Sequence, residues 1–540
     1  MSPIGAKHLA RLGEESFTRR GDYPALLFED TWHTSGELFS RACRVAAGLQ
    51  ELGVGSGDRV VVTMANCPEV GIIYQALWRA GAVVTPATFL LPAADLRHVI
   101  ADAEAVAVVT TPEFLDKVRI AVQGLDCVRH VISTAAGGRD TLVLSEVEAA
   151  EPGPIVPRRD EDLAALLYTG GTTGQAKGVM LSHANLHFSG AAAHRAAYVP
   201  GVIRGLGTLP LSHAFGLLVT ISSMHSPEQG IAVLLRWFDP DAFLELIAQH
   251  QLQLSAVVPS MLQLLLAKPL EDYDLSSLRY LSSGGAPLAP EVEQEFTRRV
   301  PSVSIRQGYG LTETAALIST NPAGRERPGS VGLPVPGTEI QVLDEHGAVL
   351  ADGEAGEICA RSAGVMRGYW RSPEATAEAL TDGWLHTGDI GYRDEEGYLF
   401  ILDRKKDLII RGGFNVYPRD VEDALVEHPD IQMAGVVGRP SRVHGEEVVA
   451  FIAPRGGATP TPEDLIAWAR ERIGGYKYPR ELHLVPSMPL TPVGKIDRKA
   501  LRAQLEELMD NGGPARDTDG HASRGRTAPP AGTDSQRRLR

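Results

Sequence analysis

Residues 168–180 read YTGGTTGQAKGVM, and the five before them, Leu163 to Leu167, form an apolar run of the kind that makes a short buried strand. A strand running into Thr169, Gly170, Gly171, Thr172, Thr173 and Gly174 brings backbone N–H groups and three hydroxyls into one small volume, with Lys177 close behind. Glycines let the backbone approach an anion, hydroxyls donate to its oxygens, and the lysine adds charge. The run departs from a Walker A loop: Ala176 stands where that loop has glycine before its lysine, and no Ser or Thr follows Lys177. From these residues alone it is either a flexible turn or a polyphosphate cradle of another kind.

Upstream, amphipathic helix alternates with apolar strand from Ala25 to Ala149. Ser35 to Leu52 places Leu38, Ala42, Val45, Leu49 and Leu52 at helical spacing, and Gly53 closes it. Arg59 to Met64 reads as a strand, Val70 to Ala80 as a helix, Ala93 to Ala101 as a helix, and Ala105 to Thr110 as a β-branched run. Repeated βα units predict a mostly parallel sheet covered by helices, with most of this region as scaffold.

At 540 residues the chain exceeds one ordinary core, so two or more domains are expected. Hydrophobic residues at 44% and charged residues at 22% describe a soluble globular protein, and a net charge of -15 leaves no dominant basic face for nucleic acid. The four cysteines, at 43, 67, 127 and 359, form no CxxC pair and read as reduced, buried thiols of a cytoplasmic protein. Met1 to Leu12 has no signal-peptide core, and no stretch makes a clean membrane span.

Downstream, LPLSHAFGL at 209–217 places His213 beside an apolar run, where a core role and a site role are both open. Leu254 to Pro259 reads as a strand and Ser260 to Ala267 as a helix. In RYLSSGGAPL, at 279–288, a strand ends in Gly284 and Gly285, where a flat ring can lie on bare backbone. RQGYGLTET, at 306–314, begins like GxGxxG, but Glu313 takes the last glycine position and speaks against a dinucleotide turn. A carboxylate in a phosphate site needs a cation between them, and Mg²⁺ uses one or two carboxylates with phosphate oxygens. Val331 to Ala360 carries strand and turn signals of a small barrel-like unit. In WLHTGDIGYRDEEGYL, at 384–399, Asp389 lies between tight turns, as a turn cap or a ribose acceptor. Tyr417 leads into Pro418 at a helix start, Val448 to Ala453 is a strand, and Thr461, Pro462 and Asp464 announce a second helix. Lys495 sits on a Pro/Gly turn in PLTPVGKIDRKAL. From Asn511 the composition turns to that of a disordered tail.

These stretches, in this order, resemble the motifs of the adenylate-forming superfamily: acyl-CoA synthetases, adenylation domains of peptide synthetases, and beetle luciferases. The superfamily's loop usually has Ser at the position of Gly171 and Pro at that of Ala176. The motifs run once each from Tyr168 to Lys495, and the general resemblance spans about residues 10 to 508. It implies an α/β fold: a large N-terminal AMP-binding domain (residues 1–402) of two βα-layered subdomains and a small distorted β-barrel, a hinge at Asp403 and Arg404, and a small mobile α+β domain (residues 405–508), followed by a disordered tail at 509–540.

The resemblance also implies roles. The loop from Thr169 to Gly174 and Lys177 hold the ATP phosphates; Gly284, Gly285, Ala286, Gly308, Tyr309 and Gly310 form the nucleotide pocket, with Tyr309 on adenine. Thr312 contacts the α-phosphate, Glu313 binds Mg²⁺, and His213 stands at the inner wall of the acyl pocket. Asp389 holds the ribose with Ile401 and Arg404 alongside, and Lys495 reaches into the adenylation site. Gly412 and Gly413 would leave room for the pantetheine arm of CoA or of a carrier protein's phosphopantetheine, and Arg411 and Lys477 are candidates for the nucleotide phosphates of CoA.

The implied reaction makes acyl-AMP and pyrophosphate from a carboxylic acid and ATP, then a thioester as AMP leaves, with domain alternation between the halves. His213 to Met224 and Val257 to Leu266 are apolar and contain no arginine, which disfavours a dicarboxylate and favours an aliphatic (fatty) acid, then an aryl or cinnamate-type acid. The leading expectation is a cytoplasmic acyl-CoA synthetase of fatty acid metabolism, monomeric or homodimeric. Its rivals are a ligase that loads an acyl carrier protein, an amino-acid adenylation domain, a luciferase, and a non-catalytic nucleotide binder.

Overall fold

Val60 and Val62 point to one side of the strand Arg59–Thr63 and Val61 to the other, and all three are fully buried. A strand buried on both faces needs a helix layer on each, which parallel βα units supply. The computed structural model describes residues 4–135, 137–138, 140–169, 176–491 and 495–511. The expectations for Gly170, Gly171, Thr172, Thr173 and Gly174, and for the tail past residue 511, lie outside the described residues.

The first sheet has seven strands, in the order Leu142–Val143, His130–Ser133, Ala107–Thr110, Arg59–Thr63, Val83–Pro86, Leu163–Thr169, Lys177–Ser182. Its pairs are parallel except the last, an antiparallel hairpin in which Thr169 faces Lys177. Lys177 therefore opens a strand. On the outer face Val61, Val108 and Leu166 pack against Leu96, Val99, Ile100 and Val118 of two covering helices. On the inner face Val60, Val62 and Val109 meet Ile73, Leu77 and Trp78 of the helix Pro68–Arg79. The indole N–H of the fully buried Trp78 donates to the Ala164 carbonyl at 3.0 Å. Its truncation to alanine would cost about 3–5 kcal/mol.

The second sheet has nine strands, in the order Leu333–Pro334, Ser319–Thr320, Ser304–Tyr309, Tyr280–Ser283, Leu254–Val257, Arg204–Gly207, Ile231–Leu234, Pro24–Phe28, Thr31–Thr34. The segment after Ala25 was expected to open the first sheet; it belongs to the second, where Leu26 pairs with Ala232. Leu206, Val233, Val257, Leu281 and Ile305 pack on Phe243, Leu262 and Phe296 of the outer helices. The opposite face carries Gly205, Gly207, Ser282, Arg306 and Gly308, which line a large cavity.

A third sheet holds Thr338–Leu343, Gly356–Ser362, Trp384–Arg393 and Leu380–Thr381, with Leu399–Arg404 paired to Trp384–Arg393. This is the small half-barrel the sequence implies. A fourth sheet comprises Phe414–Val416, Ile409–Arg411, Gly445–Pro454 and Ile431–Ser441, with Glu481–Leu484 added in parallel. Three helices accompany it: Pro418–Val426, Pro462–Arg472 and Arg498–Asn511. The Thr461 hydroxyl accepts from Asp464 N–H at 3.2 Å, the expected cap. The last helix corrects the two-helix reading and carries ordered chain past residue 508, where Leu501 and Leu505 are buried against Val437, Val449 and Phe451. Cys43, Cys67 and Cys359 are buried and free as expected, whereas Cys127 is only half-buried. No helix among the described residues is long and apolar enough to cross a membrane.

Candidate active site

Strand ends and turns deliver the candidate residues to one cavity of about 2900 Å³. Thr169 and Lys177 reach it from the first sheet, Gly284, Gly285 and Ala286 follow the strand Tyr280–Ser283, and Gly308, Tyr309 and Gly310 end the strand Ser304–Tyr309. Ligand clefts of α/β sheets lie at the carboxyl ends of the strands for this reason. Gly284 cannot carry a side chain without pressing on the Phe215 ring at 3.2 Å and the Gly308 carbonyl at 3.3 Å. Thr312 and Glu313, in the 3-10 turn Thr312–Thr314, also line the cavity.

Asp389 was expected between tight turns. It lies inside the ten-residue strand Trp384–Arg393, where Gly388 at φ 67° and a register shift at Ile390/Gly391 form a bulge. Such a bulge re-aims a side chain. The Asp389 carboxylate accepts from the Tyr309 hydroxyl at 2.5 Å and pairs with Arg404 Nε at 2.8 Å. Burial pushes its pKa up, while Arg404, Tyr309 and Lys495 pull it down. Ile401 and Arg404 stand on the neighbouring strand and line the same space. Asp403 is also a strand residue. Its Oδ1 accepts from Arg404 N–H at 2.7 Å and its Oδ2 from Arg419 N–H at 2.9 Å, tying the end of the third sheet to the helix Pro418–Val426.

Lys495 enters from the C-terminal part, where Thr491 N–H donates to the Lys495 carbonyl at 2.7 Å. Burial and Arg404 push its ammonium down to about 8, against Asp389 and Glu313, which favour the charged form. His213 caps the helix Ala214–Met224, its Nδ1 accepting from Phe215 N–H at 3.3 Å. Burial, then Lys495, bring its pKa to about 4, so it is neutral at pH 7 with the proton on Nε2.

The residues expected along the path of CoA lie elsewhere. Gly412 and Gly413, at φ 59° and 82°, form the exposed turn of the hairpin Ile409–Arg411/Phe414–Val416, outside it. Arg411 pairs there with Glu447, and Lys477 with Asp420 at 2.6 Å. Neither Arg411 nor Lys477 lines the cavity in this arrangement.

Two residues escaped the sequence reading. The Tyr369 hydroxyl donates to Glu313 Oε1 at 2.8 Å, and nothing local to either residue signals this contact. Arg306 lines the cavity although residues 213–224 and 257–266 contain no arginine. Its signal was available: it has the same strand parity as Gly308, so both point to the same face.

Residues 13–370 match the family described as AMP-binding enzyme, and residues 420–495 match the AMP-binding enzyme C-terminal domain. A long-chain-fatty-acid–CoA ligase of Bacillus subtilis (strain 168) is 36% identical, over 94% of this chain and 96% of that protein. A feruloyl-CoA synthase of an Amycolatopsis species is 36% identical, over 87% and 94%. The solved structure of an anthranilate CoA ligase in complex with anthranoyl-AMP has a TM-score of 0.87 at 25% identity, over 94% of this chain and 98% of that one.

Proposed function

Since the chain belongs to the AMP-binding enzyme family and is an AMP-forming acyl-CoA synthetase, we propose that it activates a medium- or long-chain aliphatic acid as acyl-AMP and passes the acyl group to CoA. The observation that carries this reading is the convergence of Lys495, Arg404, Asp389, Glu313 and His213 on one cavity. The length of that cavity supports an extended acid: it continues past His213 between the second sheet and the helices His183–Ala197 and Ala214–Met224, to Tyr198 and Glu228.

In the first half-reaction a carboxylate oxygen attacks the α-phosphorus and pyrophosphate leaves. Charge grows on the phosphoryl oxygens, and cations fixed in a water-poor site stabilise it without reorganising. Lys495 and Arg404 supply that charge, Lys177 stands at the stem of the loop, and neutral His213 offers its Nε2–H to the acid. Among the described residues no group of three or more His, Cys, Asp or Glu could hold a metal. A lone Glu313 nevertheless fits Mg²⁺, whose remaining ligands come from phosphate and water. When bound there, the ion neutralises phosphate charge.

In the second half the thiol attacks the acyl carbonyl and AMP leaves. Lys495 occupies the cavity and Gly412 and Gly413 lie outside it, so the C-terminal part must turn for the pantetheine arm to enter. We place the division after residue 402, with Asp403 and Arg404 as hinge and residues 405–508 as the moving lobe. The third sheet ends at Arg404 and the fourth begins at Ile409, which supports that boundary. A cytoplasmic location belongs to the same reading.

A second reading, an aryl acid, is favoured by the flat floor of Gly205, Gly207, Ser282 and Gly308. Pyrophosphate release across aliphatic and aryl acids, repeated with CoA and with a holo carrier protein, tests both. Thioester on CoA with aliphatic acids is the expected result. Thioester on the carrier protein alone would overturn the acceptor, and no release with any acid would overturn the whole.

A further inference from the structure

A cavity built for hydrocarbon alone has no use for a buried guanidinium, yet Arg306 stands in its wall at 8% exposure. The group is stacked over the Tyr280 ring, 4.1 Å from its centroid. Its Nη1 reaches the Ala197 carbonyl only at 3.4 Å, and Glu326 Oε1 lies 3.4 Å from Nε. Nε itself makes no hydrogen bond among the described residues. Glu326 faces that closed-off Nε, whereas Nη2 also makes no hydrogen bond among the described residues and is the donor left for a molecule in the cavity. A donor on a buried charged group is costly to leave unpaired, and such groups persist where something else completes them.

Its position says what that something is. Arg306 shares a strand face with Gly308, two residues nearer the strand's start, so it lies roughly 7 Å deeper along the sheet than the nucleotide end. We propose that Arg306 is a specificity-determining residue that donates a hydrogen bond to an oxygen at the far end of the acid. This rests on the cavity being the acid site. Glu326 offsets the arginine's charge, so the oxygen is that of a neutral group such as a hydroxyl or phenol, and a second carboxylate is disfavoured. A pocket that hydrogen-bonds a substrate hydroxyl discriminates against the analogue lacking it, because the pocket's own donor is then left unpaired.

The test uses matched pairs in the full-length enzyme: para-hydroxycinnamate against cinnamate, and ω-hydroxydecanoate against decanoate. The expected result is a wild-type kcat/KM ratio of about tenfold or more for the hydroxylated member of one pair, falling toward one in Arg306→Met and partly restored in Arg306→Lys. The pair that responds identifies the aryl or the aliphatic source of the oxygen. An unchanged ratio in Arg306→Met, with thioester still formed, overturns the role of Arg306 and leaves the acid site standing. Equal losses for both members of each pair together with a lower melting temperature also overturn it, since that is what a strut between sheet and helix would give. Absence of pyrophosphate release by the wild type with every acid overturns the acid-site reading itself, and this inference with it.

Discussion

Tyr369 donates its phenolic hydrogen to Glu313 Oε1 at 2.8 Å across 56 residues of chain, and the Lys177 ammonium sits 5.3 Å from the centroid of the same ring. One tyrosine thus orients the proposed metal-holding carboxylate and borders the lysine at the stem of the proposed phosphate loop. Outer partners of metal ligands set ligand orientation, and their loss commonly weakens the metal about tenfold or more. Tyr369→Phe keeps the ring and removes the hydroxyl, so half-saturation of pyrophosphate release should move to about tenfold higher Mg²⁺. An unchanged Mg²⁺ curve would remove Tyr369 from the site.

Lys495 leads to a pH prediction whose sign follows from its surroundings. Its pKa is lowered from 10.5 to about 8, so the ammonium is present below that value and is lost as pH rises through it. The adenylation kcat/KM for ATP, which reports the free enzyme, should fall on the alkaline side of about pH 8. Lys495→Ala should lose on the order of a hundredfold or more in pyrophosphate release and lose the alkaline limb with it. Thioester formation from preformed acyl-AMP should be far less affected. A wild-type profile flat to pH 10 would refute the assignment.

The spacing from Pro210 to Gly216 has a steric cause. A Cβ on Gly216 would lie 2.2 Å from the Pro210 carbonyl oxygen and 2.9 Å from Leu211 Cα, both backbone atoms that cannot step aside cheaply. Gly216→Ala should therefore destabilise the protein by about 1–3 kcal/mol and displace the helix start that carries His213. Denaturant unfolding and KM for the acid should both respond. Normal stability with normal KM would show that the turn has room to move.

Arg419 joins the two lobes in the arrangement seen here. Its Nη1 donates to the Ile401 carbonyl at 2.7 Å, its Nη2 to the Leu288 carbonyl at 3.3 Å, and its Nε lies 3.4 Å from Asp423. Asp423 is already raised to about 6 by burial, with Glu291 adding repulsion against the pull of Arg419. Arg419→Ala should loosen this arrangement and slow adenylation several-fold more than thioester formation, measured as separate half-reactions. Equal effects on the two would mean that the contact does not select between lobe positions.

Much of the fold was legible locally. The helix Ser35–Glu51, the strand Arg59–Thr63 and the capped helix Pro462–Arg472 follow from periodicity and end signals, which act over a few residues. The site was legible as motifs whose order matched a family. What was not legible was any contact without a local signature, such as the Tyr369–Glu313 bond or the bulge that aims Asp389.

The sequence by itself determined which residues could do the chemistry, because hydroxyl, carboxylate, imidazole and ammonium groups are properties of single positions. Only the tertiary structure decided that Pro24–Phe28 crosses to the second sheet, and that Lys495 comes under the influence of Asp389 and Glu313 while Arg411 is held by Glu447. Each of those outcomes is a competition between partners far apart in the chain, settled by packing and desolvation once the sheets and lobes meet.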